Sequence, residues 1–240
     1  QDYIEKADAE GYVIGVSGGI DSAVTATLAV RAVGADKVHG YVMAGDPSSA
    51  ENMEDARELS EDIGLKMREV NIEETVEKFV NSSPVDPGDT AEGNVRARVR
   101  MIYEYIEANQ NNLLVLGPGN RTEIMTGYFT KYGDAAADIA PIADLYKTEV
   151  RDLAEHLGLD QKFIKKNPTA GLWEDQTDEG ELGASYSTID TILENMLQKG
   201  LNECEIEEKT GIENSEAKRF REIYERTEHK RFDLPHPQLR

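Results

Sequence analysis

Short apolar runs alternate along this chain with longer stretches in which apolar side chains recur at helical spacing. Val13 to Val16, Val38 to Ala44, Lys66 to Ile72 and Leu113 to Leu116 read as strands. Ser22 to Val33 reads as a helix with Val24, Leu28 and Ala32 on one face, stopped by Gly34. Ser48 to Ile63 reads as a second helix, with Ser48 or Ser49 placed to cap it ahead of Glu51, and Glu73 to Val80 as a short third. From Ile189 onward the pattern is helical: Ile189, Ile192, Leu193, Met196 and Leu197, then Cys204 to Thr210, then Ser215 to Glu228. It ends in the basic cluster His229-Lys230-Arg231, ahead of Pro235 and Pro237. Asn81 to Gly93, rich in Ser, Pro, Asp and Gly, and the acidic Leu172 to Gly183 read as loops. Strands separated by helices imply an α/β fold, a parallel sheet with helices on both faces, here with a C-terminal helical appendage. Right-handed crossovers then bring all strand C-terminal ends to one edge, where ligands bind.

Composition narrows this picture. A chain of 240 residues can bury one sizeable core, and a single domain over residues 1–240 is expected. No apolar run approaches membrane-spanning length, and no signal sequence is expected from the opening residues. The chain starts at Gln1 and not Met, so a missing or processed N-terminus is expected. Cys204 is the only cysteine; it reads as a small half-buried residue without chemistry, and its solitude fits a reducing, cytoplasmic setting. The net charge is -21, from 47 acidic against 26 basic residues. Such a field repels nucleic acids and anionic membranes. It also repels ATP at long range, so a nucleotide site here must be locally basic or metal-assisted. Glu51, Glu54, Asp55, Glu58, Glu61 and Asp62, with Glu203, Glu205, Glu207 and Glu208, read as solvated helix faces. A dispersed acidic surface with few lysines suits a protein from high salt, where self-repulsion is screened.

One stretch carries chemistry of its own. Gly15-Val16-Ser17-Gly18-Gly19-Ile20-Asp21-Ser22 follows the first strand and opens the first helix. Glycines let the backbone approach an anion, and the helix directs its positive end at the bound charge. Ser17 and Ser22 add hydroxyls. Asp21 is misplaced for binding phosphate directly, and makes sense as a ligand of a hard cation such as Mg²⁺ that in turn holds the phosphates. The Walker ending Gly-Lys-Ser/Thr is missing, and the dinucleotide Gly-x-Gly-x-x-Gly spacing is not met. The segment resembles the Ser-Gly-Gly-x-Asp-Ser loop of the ATP pyrophosphatases, which split ATP into AMP and pyrophosphate.

A second constellation follows the fourth strand: Gly117-Pro118-Gly119-Asn120-Arg121-Thr122-Glu123, then Thr126 to Asp134, Asp138 to Pro141 and Leu145 to Glu149. Asn167 to Trp173 and Gln176 to Gly183 come later, and the chain closes on His229-Lys230. In order and spacing these pieces resemble the ammonia-dependent NAD synthetases over nearly the whole chain. The resemblance implies a Rossmann-like adenine-nucleotide alpha-hydrolase fold and a definite reaction. ATP adenylates the nicotinate carboxylate of deamido-NAD, and ammonia attacks the acyl-adenylate to give NAD and AMP. It further implies that Gly15, Val16, Ser17, Gly18, Gly19, Ile20, Asp21 and Ser22 bind ATP phosphates, with Lys147, Thr169 and position 118. Asp21 and Glu123 match Mg²⁺ ligands, and Lys147 is placed to stabilise the leaving pyrophosphate. Asp21, Lys147, Ser17 and Ser22 form the implied catalytic set. Arg98, Lys131, Asp138, His229 and Lys230 match deamido-NAD contacts. Arg96, Arg98 and Arg100 cannot share one helix face, so one site should not use all three.

The chain departs from the family at Pro118, where a threonine is usual and a hydroxyl is lost, and at Ala135-Ala136 in place of Gly-Gly. The family's N-terminal helical segment is expected to lie mostly outside this sequence. A homodimer is expected, with active sites near the interface. No glutaminase domain is expected, so free ammonia or a separate supplier is the implied nitrogen source. His39 and His156 read as structural, and no spacing suggests zinc. Two other readings stay open on the residues alone: a tRNA-thiolating or GMP-forming pyrophosphatase, and an adenine-nucleotide sensor without turnover.

Overall fold

The computed structural model describes residues 1–45, 49–169 and 177–231. In chain order the elements are α1 (Asp2–Ala7), β1 (Gly11–Gly15), α2 (Ile20–Val33), β2 (Val38–Ala44), α3 (Ser49–Ile63), β3 (Lys66–Asn71), α4 (Glu73–Asn81) and α5 (Gly88–Asn111). Then come β4 (Leu113–Val115), α6 (Arg121–Thr126), α7 (Lys147–Leu157), α8 (Gln161–Lys165), α9 (Asp178–Leu182), α10 (Tyr186–Leu193), α11 (Glu203–Thr210), α12 (Asn214–Arg226) and α13 (Glu228–Arg231). The N-cap expected at Ser48 or Ser49, the segment from Ala170 to Gln176 and the prolines at 235 and 237 lie outside the described residues and side chains.

The sheet is parallel throughout, in the order β3-β2-β1-β4, with Tyr12 opposite Val38 and Gly11 opposite Leu113. Chain order runs outward from β1 to β3 on one side and jumps to β4 on the other. The reversal between β1 and β4 is the switch point, where a crevice opens at the strand C-termini. Both sheet faces are covered, as the apolar strands require. Tyr12, Ile14 and Val42 meet Ala23 and Ala26 of α2 and Ala56 and Leu59 of α3. Val13, Tyr41, Met43 and Val115 meet Val76 of α4 and Val99 and Ala108 of α5. The C-terminal helices form a core of their own around Tyr186, Ile189, Ile192, Leu193, Ile206 and Phe220.

Several expectations need correcting. The loop read over Asn81 to Gly93 ends earlier, because α5 begins at Gly88. Pro87, read as a loop former, stands at its N-cap with no side-chain cap but with a φ of -74° that suits a helix entry, and Asp89 sits in the first turn, where an acid meets the positive end of the helix. Similarly, α9 occupies the end of the acidic stretch read as a loop. Ala32 is exposed although Val24 is buried. The reason is that α2 packs between the sheet and α7, so Ala23 and Ala26 serve the sheet while Val24 meets Val150 and Ala154. Burial on both sides runs to Ala29, and Ala32 falls in the last turn beyond it. Cys204 is exposed, not half-buried. Asp55 is not a solvated acid: it is 8% exposed and paired with Lys162 and Lys166.

Candidate active site

β1 leads directly into Val16-Ser17-Gly18-Gly19, and α2 opens at Ile20. Gly18 has a φ of +78°, and a Cβ there would lie 2.4 Å from the Asn52 carbonyl oxygen, so only glycine fits. Ser22 is 1% exposed. Its hydroxyl accepts the Ser17 amide at 3.1 Å and donates to the Gly19 carbonyl at 3.0 Å. Ser17 Oγ lies 3.0 Å from Ser22 Oγ and accepts the Gly19 amide at 3.3 Å. Both hydroxyls therefore fix the curvature of the loop from within, and Ser17 is the exposed one.

Asp21 sits in the first turn of α2. Its Oδ1 accepts the Asn120 amide group at 3.0 Å, and its Oδ2 pairs with Lys147 Nζ. Asn120, fully buried, caps α6: its Oδ1 accepts the Glu123 N–H at 3.0 Å, and Glu123 Oε2 accepts the Asn120 N–H at 3.3 Å. This reciprocal box points Glu123 Oε1 back toward Lys147 Nζ, 3.5 Å away. Lys147 opens α7 and is 2% exposed. Its N–H donates to Thr122 Oγ1 at 2.9 Å, and its ammonium stands 5.1 Å from the centre of the Tyr186 ring. Tyr186 in turn donates to Asp178 Oδ2 at 2.9 Å.

The electrostatics follow from this packing. Burial pushes the Glu123 carboxyl well above its ordinary range, and the Asp21 charge pushes it further, against the pull of Lys147. Burial alone would pull the Lys147 amine down, but Asp21 and Glu123 outweigh it, and the amine titrates above its ordinary value. Two carboxylates from adjacent strand ends thus share one lysine. That hard-oxygen pair has the donor chemistry a divalent cation would take. Among the described residues no larger group of His, Cys, Asp or Glu offers a metal site.

The cluster forms one wall of a cavity of about 460 Å³. The phosphate loop, the end of β2 from Tyr41 to Ala44, and Asn94, Met101 and Glu104 of α5 line it, as do Pro118 and Thr169. A Cβ on Gly15 would lie 2.3 Å from Glu104 Oε1, so glycine at that position is what admits the acid. Burial pushes the Glu104 carboxyl up to about 8, against the Gly15 N–H and the Arg100 charge.

The implied dinucleotide contacts divide. Lys230 lines the cavity, its amine donating to the Gly127 and Phe129 carbonyls at 2.7 Å each. Arg98 and Lys131 stand outside it in a chain of contacts: Arg98 donates to the Lys131 carbonyl at 3.2 Å, and Lys131 Nζ to the His229 carbonyl at 2.6 Å. Asp138 Oδ2 accepts the Val115 N–H at 2.8 Å and so finishes β4. The three arginines of α5 diverge as their spacing required. Arg96 pairs with Glu73 and Glu92, while Arg100 donates to the Met43 carbonyl. His39 is structural, 2.7 Å from Glu107 Oε1. Asn120, Asp178, Tyr186 and Glu104 were not singled out in the sequence. The Asn-x-x-Glu capping spacing could have marked Asn120; the other three meet the cluster or the cavity only through tertiary contacts.

A parallel sheet with a glycine phosphate loop after its central strand, and a carboxylate–lysine cluster at the switch point, defines a nucleotide-binding domain of the ATP-pyrophosphatase type. The NAD synthase family model matches residues 1–234, and the chain belongs to that family. The NH(3)-dependent NAD(+) synthetase of Thermococcus kodakarensis is 45% identical over 229 residues, covering 95% of this chain and 89% of that protein. The same-named protein of Halobacterium salinarum is 44% identical over 238 residues, covering 99% and 89%. A solved structure of NMN synthetase from Francisella tularensis superposes with a TM-score of 0.87 at 35% identity, covering 99% of this chain and 93% of that one.

Proposed function

We propose that this chain is an ammonia-dependent NAD synthetase, an amide-forming ligase that completes NAD biosynthesis at the expense of ATP. The observation that carries the reading is the Asp21–Lys147–Glu123 cluster beneath the phosphate loop. A carboxylate oxygen of deamido-NAD attacks the α-phosphorus of ATP, and the bond to pyrophosphate breaks. Ammonia then attacks the acyl carbon, sheds a proton, and AMP leaves with the bonding pair.

Each residue has a role in that sequence. The loop from Gly15 to Ser22 turns backbone N–H groups and the start of α2 toward the phosphates. Lys147, held rigidly by Asp21 and Glu123, offsets charge as it gathers on the departing pyrophosphate. Thr169 and Pro118 line the same cavity, the proline giving shape without a hydrogen bond. Asp21 and Glu123 would hold a Mg²⁺ ion, which would neutralise phosphate charge and assist the leaving group. Arg98, Lys131, Asp138 and the His229-Lys230 pair would receive deamido-NAD at the rim. Beside Arg98 on α5 the large apolar Ile102 and Ile106 are exposed, 44% and 59%, one turn apart. A homodimer packed along that stripe would bring a second copy next to the same rim.

The deciding experiment supplies ATP, Mg²⁺ and ammonium with either deamido-NAD or nicotinate mononucleotide, in high KCl. Equal, ammonium-dependent release of AMP and NAD is expected. Turnover of the mononucleotide alone would move the substrate toward the reaction named for the Francisella protein, and no AMP with either would overturn the ligase reading.

A further inference from the structure

We propose that Lys166 is a transferable phosphate-binding cation: it rests on Asp55 and passes to the polyphosphate of ATP, while Lys162 stays behind to keep Asp55 neutralised. The proposal rests on the reading of the cavity as an ATP site.

The geometry begins at the phosphate loop. Gly18 lies against the backbone of Asn52 on α3, and Asp55 follows one helical turn later. At a rise of about 1.5 Å per residue, that turn sets Asp55 roughly 4.5 Å further along the axis. Lys166 lines the cavity beside Thr169 and reaches Asp55 Oδ2 with its amine. Asp55 also holds Lys162, whose amine is 3.0 Å from Oδ1 and which pairs with Glu58 as well. Burial would raise the Asp55 carboxyl, but the two ammonium groups outweigh it and hold it below the usual carboxylate range.

Two cations on one buried carboxylate is an unusual arrangement in a chain of net charge -21. A buried carboxylate stripped of its sole partner would be costly. Asp55 does not face that cost, since Lys162 remains when Lys166 leaves. The other cations of the cavity are engaged differently. Lys147 is locked between Asp21 and Glu123, and Lys230 holds two carbonyls. Arg100 donates to Met43 O. Asp21, Glu104, Glu123 and Asp178 also line the space, so arriving phosphates meet a wall of acids. Lys166 is the cation whose departure the fold can tolerate, and its four-carbon stem gives it the reach.

Calorimetric titration with Mg²⁺ and either ATP or AMP tests this on the full chain and on Lys166→Met, Lys166→Arg and Lys162→Met. Lys166→Met should weaken ATP at least tenfold and AMP less than twofold, with Lys166→Arg restoring most of the loss. Lys162→Met should lower Tm yet keep the parent's preference for ATP over AMP. Equal losses for ATP and AMP, or a lower Tm in Lys166→Met with the ATP preference intact, would overturn the transfer and leave a structural lysine. Failure of the parent to bind ATP would instead remove the reading of the site itself, and the proposal with it.

Discussion

Asp21 is held from two sides, by the Asn120 amide at 3.0 Å and by the ammonium of Lys147. Its position in a glycine loop suggests a surface acid that can be changed without touching the fold. The contacts say otherwise, because Lys147 is 2% exposed and depends on it. Asp21→Asn should lower turnover by about two orders of magnitude or more. It should also cost roughly 1–3 kcal/mol of stability by leaving a buried ammonium underpaired. Thermal unfolding and a rate assay read the two effects separately, and near-normal turnover would sink the metal-ligand role. Glu104 gives a pH signature. Its carboxyl is pushed up to about 8 by burial, so the folded state holds a proton that the unfolded chain has released. Stability from this group is therefore intact below the ordinary carboxylate range and is lost as pH rises toward about 8. Glu104→Gln removes that dependence, so the Tm of the variant minus that of the parent should grow between about pH 5 and about pH 8.5. A constant difference would contradict the raised Glu104 carboxyl.

At the scale of elements, β1, β2 and β4 were legible because each is a bounded, mostly apolar run, whereas β3 is mostly polar and only Met67 and Val70, with Ile72 just past its end, marked it. The parallel order followed from the helices between them, and the C-terminal helices from their periodicity. What stayed hidden has a common cause. The start of α5 is polar and mostly exposed, so no apolar face announces it. The double burial of α2 depends on α7, which is more than a hundred residues away in sequence. The site shows the same division. Gly15 to Ser22 is a local motif and was readable, whereas the pairing of Asp55 with Lys166 and of Tyr186 with Asp178 exists only after folding. The turn opening α6 is where element and site coincide, since Asn120 caps the helix and braces Asp21 together. Asn120→Ala should cost about 1 kcal/mol for the cap alone. It should also reduce activity more than a cap far from the cavity, such as Asn202→Ala on α11, which serves as the comparison in paired unfolding and rate measurements.

Across the whole molecule the acidic surplus acts on itself. A net charge of -21 opposes compaction in dilute buffer and is screened when the Debye length falls to about 3 Å in molar salt. Tm should therefore rise from dilute buffer to molar KCl; a fall would refute adaptation of this surface to high salt. Ile102→Glu adds another acid to the exposed stripe of α5 and should convert a dimer to a monomer in sedimentation equilibrium. A parent that sediments as a monomer would exclude the proposed interface. One further consequence lies in the strand order. Asp21 follows β1, Glu123 follows β4, and Lys147 opens the helix after that, so the cluster spans more than half the chain. Nothing short of the β1–β4 pairing brings these groups together. A nascent chain released before Lys147 lacks the cluster, and a nucleotide that relies on it would not bind a partly opened molecule that has let β4 go. Bound ATP therefore works as a latch on the global fold, adding RT ln(1 + [L]/Kd) to the cost of complete unfolding and to every partial opening that separates the two strands.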